Sequence, residues 1–208
     1  MNGHTLTLAV ALAATAVSTS LVPARASATW IADNGNGTYT NPLFYDEFSD
    51  PDVIRVGDDF YLTGTTMHTL PGLPVLHSRD LVNWELLGYA CDSLDLGSEY
   101  RLEGGESYGR GIWAPTFRYR PEDGTFHIFT NVNGHKTQHF FAHDPAGPWT
   151  HTELGSSLHD LSVLFDDNGK VYVVWDYNEI KFAELKPDLS DIIPGTERVI
   201  IPRGSGRL

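Results

Sequence analysis

FSDPDVIRVGDDFYLTGTT, residues 48–66, holds an Asp-Pro turn, an apolar strand, an Asp-rich tight turn and a second strand. The pattern comes back twice. In the first copy, strands are predicted at 53–56 and 60–65 around Gly57-Asp58-Asp59, then at 73–77. After Asp80-Leu81-Val82-Asn83-Trp84 a fourth follows at 85–90. From Trp113-Ala114-Pro115 the same parts recur in the same order: strands at 116–119 and 126–131 around Glu122-Asp123-Gly124, a strand at 137–142, then Asp144-Pro145 leading through Trp149 to a strand that ends near Leu154. A third copy starts at His159-Asp160-Leu161, with strands at 162–165, 171–175, 180–184 and 198–201, an Asp167-Asn168-Gly169 turn and an Asp188-Leu189-Ser190 segment.

Asp-Gly and Asn-Gly turns between apolar runs are hairpin signals because these residues tolerate positive φ. Four short strands per unit, repeating at roughly 45 to 65 residues, predict a β-propeller. A β-sandwich would also show short, regularly spaced strands, but it does not predict the Asp-led segment before each fourth strand. Three blades are fewer than the roughly four to eight that closure requires, so the expectation is a truncated propeller. Composition agrees with all-β: 5 Trp, 9 Tyr and 10 Phe sit in short Val/Ile-rich runs punctuated by 20 Gly and 12 Pro, which favours strands and turns over helices.

Residues 1–28 read as a secretory signal peptide: a small or apolar run from Leu6 to Val17, then Ala26-Ser27-Ala28 as a cleavage site, although the leading MNGHT carries no Lys or Arg. The apolar run is short for a bilayer span, and no later segment is apolar enough to cross one, so a secreted, extracellular protein is expected. Residues 29–208 form the remaining domain. Cys91 is the single cysteine, which leaves packing rather than a disulfide to hold the core and makes Cys91 a small buried hydrophobe. A formal net charge of −13 repels phosphate backbones and anionic lipid, so nucleic acid and membrane are poor partners and a neutral substrate a better one.

In a propeller the innermost strand of each blade presents its first residues to the central channel. The matching positions are Asp50, Ala114 and Asp160, two of them carboxylates. An Asp before Pro51 is also a common turn opener, and Asp160 could cap a turn in the same way. Paired acids at one position of two repeats could instead flank a ligand, and such pairs in an aromatic funnel are the equipment of glycoside hydrolysis. The other candidates are weaker. His135, His139 and His143 have helical i, i+4 spacing, but 139–142 reads as strand, which makes them surface or edge residues rather than a metal site. Asp166-Asp167-Asn168-Gly169 lacks the further ligands of a calcium loop and reads as a hairpin turn. No G-x-S-x-G elbow is present, and Cys91 has no neighbouring base. Asn36-Gly37-Thr38 is a glycosylation sequon, usable only in a eukaryotic secretory host.

NPLFYDEFSDPDVIRVGDDFYLTGTT, LPGLPVLHSRDLVNWELLGYA, GIWAPTFRYR and HDLSVLFDDNGKVYVVW occur in this order. Together they resemble glycoside hydrolase family 43, the five-bladed propeller β-xylosidases and α-L-arabinofuranosidases, over about residues 41–201. The resemblance implies inverting hydrolysis of xylan- or arabinan-derived saccharides by three acids. Asp50 matches the general base. Asp160 matches the second Asp, which tunes the pKa of the proton donor and holds it in place. Trp113 matches an aromatic of the sugar pocket, against a plain reading as core packing. Met67 stands where many xylosidases of the family carry Phe against the sugar, and Leu161 replaces a frequent Pro. The third acid, a Glu of a Glu-Gly motif, is expected beyond Leu208, since Glu197 belongs to the approach to an outer strand. The expectation is therefore that this polypeptide by itself has little glycosidase activity; the alternative is a non-catalytic sugar-binding or non-functional remnant. A fructan-acting propeller is disfavoured because Ser49 stands where Asn usually precedes Asp-Pro. No cofactor is expected, although the family resemblance leaves room for a structural calcium in the channel.

Overall fold

The computed structural model describes residues 31–46 and 48–203; the predicted signal segment lies outside them. Twelve strands form three four-stranded antiparallel sheets, each in simple up-and-down order. Blade 1 is β1 (Ser49–Val56), β2 (Asp59–Thr65), β3 (Gly72–Ser78) and β4 (Trp84–Cys91). A short 3-10 turn, Ser98–Arg101, leads to blade 2: β5 (Ile112–Arg120), β6 (Thr125–Val132), β7 (Gln138–Ala142) and β8 (Thr150–Glu153). Blade 3 is β9 (Ser162–Phe165), β10 (Val171–Trp175), β11 (Ile180–Leu185) and β12 (Arg198–Ile201). The predicted repeat of four strands per unit is the observed one, in all three copies.

The hairpin chemistry explains the repeat. Gly57, Gly124 and Gly169 all sit at positive φ (64°, 68° and 79°) in the first turn of their blades, a conformation that a Cβ would strain. The Asp-led segments before β4, β8 and β12 are also local turns. Asp80 accepts the backbone N–H of Val82 and Asn83, Asp144 that of Ala146, and Asp188 that of Ser190. These bonds and the Asn83 amide hold the Asp80 carboxyl down at about 2. Asp166-Asp167-Asn168-Gly169 closes as a hairpin, with the Asp166 N–H donating to the Lys170 carbonyl and the Gly169 N–H to the Asp166 carbonyl.

Burial separates the strands by what covers them. β6 is buried along its whole length because blade 2 lies between two neighbours. Its alternate residues feed two cores: Phe126 and Ile128 join Leu73, Val75 and Phe117 between blades 1 and 2, while Phe129 joins Leu161, Val163 and Val173 between blades 2 and 3. β10, with one covered face, alternates buried and half-buried residues. Cys91 is buried in the first core, which pushes its thiol up to about 12, consistent with a packing role.

Arg118, on β5, ties the three inner strands together. Its guanidinium donates to Asp52 Oδ2 (2.6 Å) on β1, and to the Val163 carbonyl (2.6 Å) and Ser162 Oγ (2.8 Å) on β9. Asp52 Oδ2 also accepts the Phe117 N–H at 2.9 Å.

His139 corrects its sequence reading. It is not a surface or edge residue but is buried, stacked on Phe129 with ring centroids 4.2 Å apart, and its Nε2 lies 3.0 Å from His127 Nδ1. Burial, reinforced for His127 by Arg120 and for His139 by His127, pushes these imidazoles down to about 4 and about 3. Since both folded-state values lie below the unfolded value, their contribution to stability is complete above about pH 6.5 and is lost progressively as pH falls from there to the folded values. Calorimetry between pH 7.5 and 4.5 should show a falling Tm, with about 5 kcal/mol lost in total, and His139→Phe should flatten that slope.

Candidate active site

β1 and β5 both begin earlier than the sequence suggested, at Ser49 and Ile112, because each accommodates its proline in a register shift rather than ending there. The pairing of β1 with β2 shifts between Ser49 and Asp52, and that of β5 with β6 between Trp113 and Thr116. The bulged residues, Asp50 and Ala114, take left-handed φ of 45° and 36°. Asp160, two residues before β9, has φ 49°. Three non-glycine residues in a costly conformation at the same place in three blades make the repeat alignment a structural equivalence.

These three residues line one open cavity of about 480 Å³ together with Trp113, Asn131, Asn133, Ser157 and His159. Its two carboxylates, Asp50 and Asp160, are both exposed to it, and no Lys or Arg lines it among the described residues. Asp50 Oδ2 accepts the Thr65 hydroxyl at 2.8 Å, while Oδ1 has no hydrogen-bond partner among the described residues. Asp160 Oδ2 lies 3.5 Å from His159 Nε2. Trp113 belongs to neither core. Its indole N–H donates to Asn133 Oδ1, and its carbonyl accepts the Thr130 hydroxyl at 2.6 Å, which fixes the ring at the cavity wall. A half-exposed indole beside acidic and amide acceptors suits a neutral, hydroxyl-rich ring.

The sequence profile described as glycosyl hydrolases family 43 matches residues 39–205. The chain belongs to glycoside hydrolase family 43. It is 41% identical over 169 residues to the non-reducing end α-L-arabinofuranosidase BoGH43B of Bacteroides ovatus, covering 78% of this chain and 31% of that one. It is 31% identical over 173 residues to a β-xylosidase of Formosa agariphila, covering 81% and 28%. Among solved structures, the bifunctional GH43-CE of Bacteroides eggerthii superposes with a TM-score of 0.72 at 42% identity, covering 78% of this chain and 21% of that one. The chain thus spans less than a third of the length of these curated relatives, and its three blades are those of a five-bladed family 43 propeller.

The fourth residue singled out by the family resemblance sits differently. Met67 follows β2 at φ 50° and is not among the residues lining the cavity. Its backbone instead bridges to blade 2, with Met67 N–H to the Ile112 carbonyl at 2.9 Å and the reverse bond at 2.8 Å. Gly111, at φ 134°, permits this approach, because a Cβ there would strike the Met67 carbonyl oxygen. Glu197 lies just before outer strand β12, 3.6 Å from Lys181 and away from the cavity. For calcium, no cluster of three or more His, Cys, Asp or Glu side chains suited to a metal occurs among the described residues.

Sequence reasoning missed Asn131, Asn133 and His159 as cavity residues. A usable signal was present for Asn131: the strand pairing places it opposite Trp113, as it places Thr65 opposite Ser49, so both stand at the channel end of a second strand.

Proposed function

We propose that these blades carry the base side of an inverting glycosidase site acting on xylan- or arabinan-derived saccharides. The observation that supports it is the convergence of Asp50, Asp160 and the fixed indole of Trp113 on one cavity. Asp50 takes a proton from water as the water oxygen bonds to the anomeric carbon and the glycosidic C–O bond breaks. Asp160 tunes and positions a proton donor, and Trp113 stacks on the sugar ring. The signal-like residues 1–28 support secretion into the medium where such polysaccharides lie.

No third carboxylate lines the cavity among the described residues. A leaving group that departs without a proton therefore isolates the part of the chemistry present here. The chain should hydrolyse β-D-xylosyl or α-L-arabinofuranosyl fluoride, but xylobiose roughly two to four orders of magnitude more slowly. Proton NMR of the first-formed sugar should show inverted anomeric configuration. Retained configuration would remove the water-activating role from Asp50, and sugar binding without fluoride release would favour a non-catalytic binding module. In a completed propeller that supplies the proton donor, Asp160→Asn should lower hydrolysis of glycosides that need a proton far more than that of the fluorides; equal losses on both would count against its tuning role.

A further inference from the structure

The two cavity acids, Asp50 through its carboxylate and Asp160 through its backbone N–H, are each held by a side chain at the channel end of a second strand, and the same two side chains couple one blade to the next. Thr65, at the end of β2, is buried. Its Oγ1 accepts the Ala114 N–H of blade 2 at 2.8 Å and lies 2.8 Å from Asp50 Oδ2. An incoming N–H occupies an oxygen lone pair, so the hydroxyl proton is free to point at the carboxylate. Asn131, at the matching end of β6, is also buried. Its Oδ1 accepts the Asp160 N–H of blade 3 at 2.9 Å, and its Nδ2 donates to the Leu158 carbonyl at 2.8 Å, clamping both sides of His159. In blade 3 the matching position is Asp176, whose N–H donates to the His159 carbonyl at 2.7 Å and whose Oδ1 accepts the N–H groups of Tyr177 and Asn178.

We infer that Thr65 and Asn131 are positioning residues of the proposed site. Thr65 occupies Asp50 Oδ2 and leaves Oδ1 to take the proton from water. Asn131 sets the backbone on which Asp160 stands, holding it in its left-handed conformation. Both act across a blade boundary, so the stacking of blades 1, 2 and 3 and the relative placement of the two acids are one and the same constraint. The inference rests on the hydrolytic reading of the cavity, and the test separates the two.

The measurement is glycosyl fluoride hydrolysis by the 208-residue chain, with kcat and KM determined separately and folding followed by near-ultraviolet circular dichroism. Thr65→Val should lower kcat by about tenfold to a hundredfold with KM nearly unchanged, as expected for a misplaced base, whereas Thr65→Ser, which keeps the hydroxyl, should stay within about threefold of the parent. Thr65→Ala replaces the valine variant should that one not fold. In a completed propeller that supplies the proton donor, Asn131→Leu should reproduce the kinetic signature of Asp160→Asn, losing more on glycosides that need a proton than on fluorides. Equal losses in Thr65→Ser and Thr65→Val, or a rise in KM alone, would reduce Thr65 to packing and overturn the inference. If Asp50→Asn itself leaves turnover intact, the hydrolytic reading fails, and the positioning role fails with it. If Asp50→Asn is inactive while Thr65→Val retains full kcat, only the positioning role fails.

Discussion

Asp50→Asn is expected to lower hydrolysis of β-D-xylosyl fluoride by roughly two to four orders of magnitude, the usual contribution of a positioned general base. Binding should hardly change. Asn has the shape of Asp, and its amide oxygen still accepts the Thr65 hydroxyl, so the bond that fixes the side chain survives. What is lost is the oxygen that can take a proton from water. Because fluoride departs unassisted, the missing step cannot be hidden behind proton delivery to the leaving group. The loss should therefore fall on kcat, with saccharide affinity measured by calorimetry staying within about threefold. A variant with unchanged kcat would remove Asp50 from the base role.

The second large effect lies in the fold. Arg118 and Asp52 are both roughly three-quarters buried, at 27% and 26% side-chain exposure, and the guanidinium also serves the Val163 carbonyl and Ser162 Oγ. Arg118→Ala would leave the largely buried Asp52 carboxylate without its cation and would strip β9 of two donors. Breaking such a pair costs more than the pair contributes when intact, and about 2–4 kcal/mol of unfolding free energy should be lost in urea titrations. Removing both charges should be milder. The double variant Asp52→Asn with Arg118→Met is expected to recover about half of that loss, because it leaves no uncompensated charge. Additive single effects would show that the pair acts as two independent groups.

The repeat was legible because its markers are local. Turn glycines, Asp-led segments and apolar runs all obey short-range rules, and aligning three copies was enough to place Asp50, Ala114 and Asp160 together. Strand starts at Ser49 and Ile112 were not, since Pro51 and Pro115 read as interruptions and only the pairing partner reveals a bulge. The burial of His139 depends on blade 2 being covered on both faces, which no window of sequence states. The Arg118 to Asp52 pair spans 66 residues and two blades. Thr65 and Asn131 escaped notice for a related reason: each belongs to one blade and acts on the next. Trp113 lines the cavity, whereas Met67 is not among its lining residues and joins blades 1 and 2 through its backbone.

Saccharide should bind between the channel ends of the three blades. An NMR titration of the isotopically labelled chain with xylobiose tests it directly. The largest shifts should appear at the Trp113 indole N–H, the Asn131 and Asn133 side-chain amides, and the backbone amides of His159 and Asp160. A silent Trp113, with shifts concentrated instead at Trp84 and Tyr89 in the groove on blade 1, would contradict it.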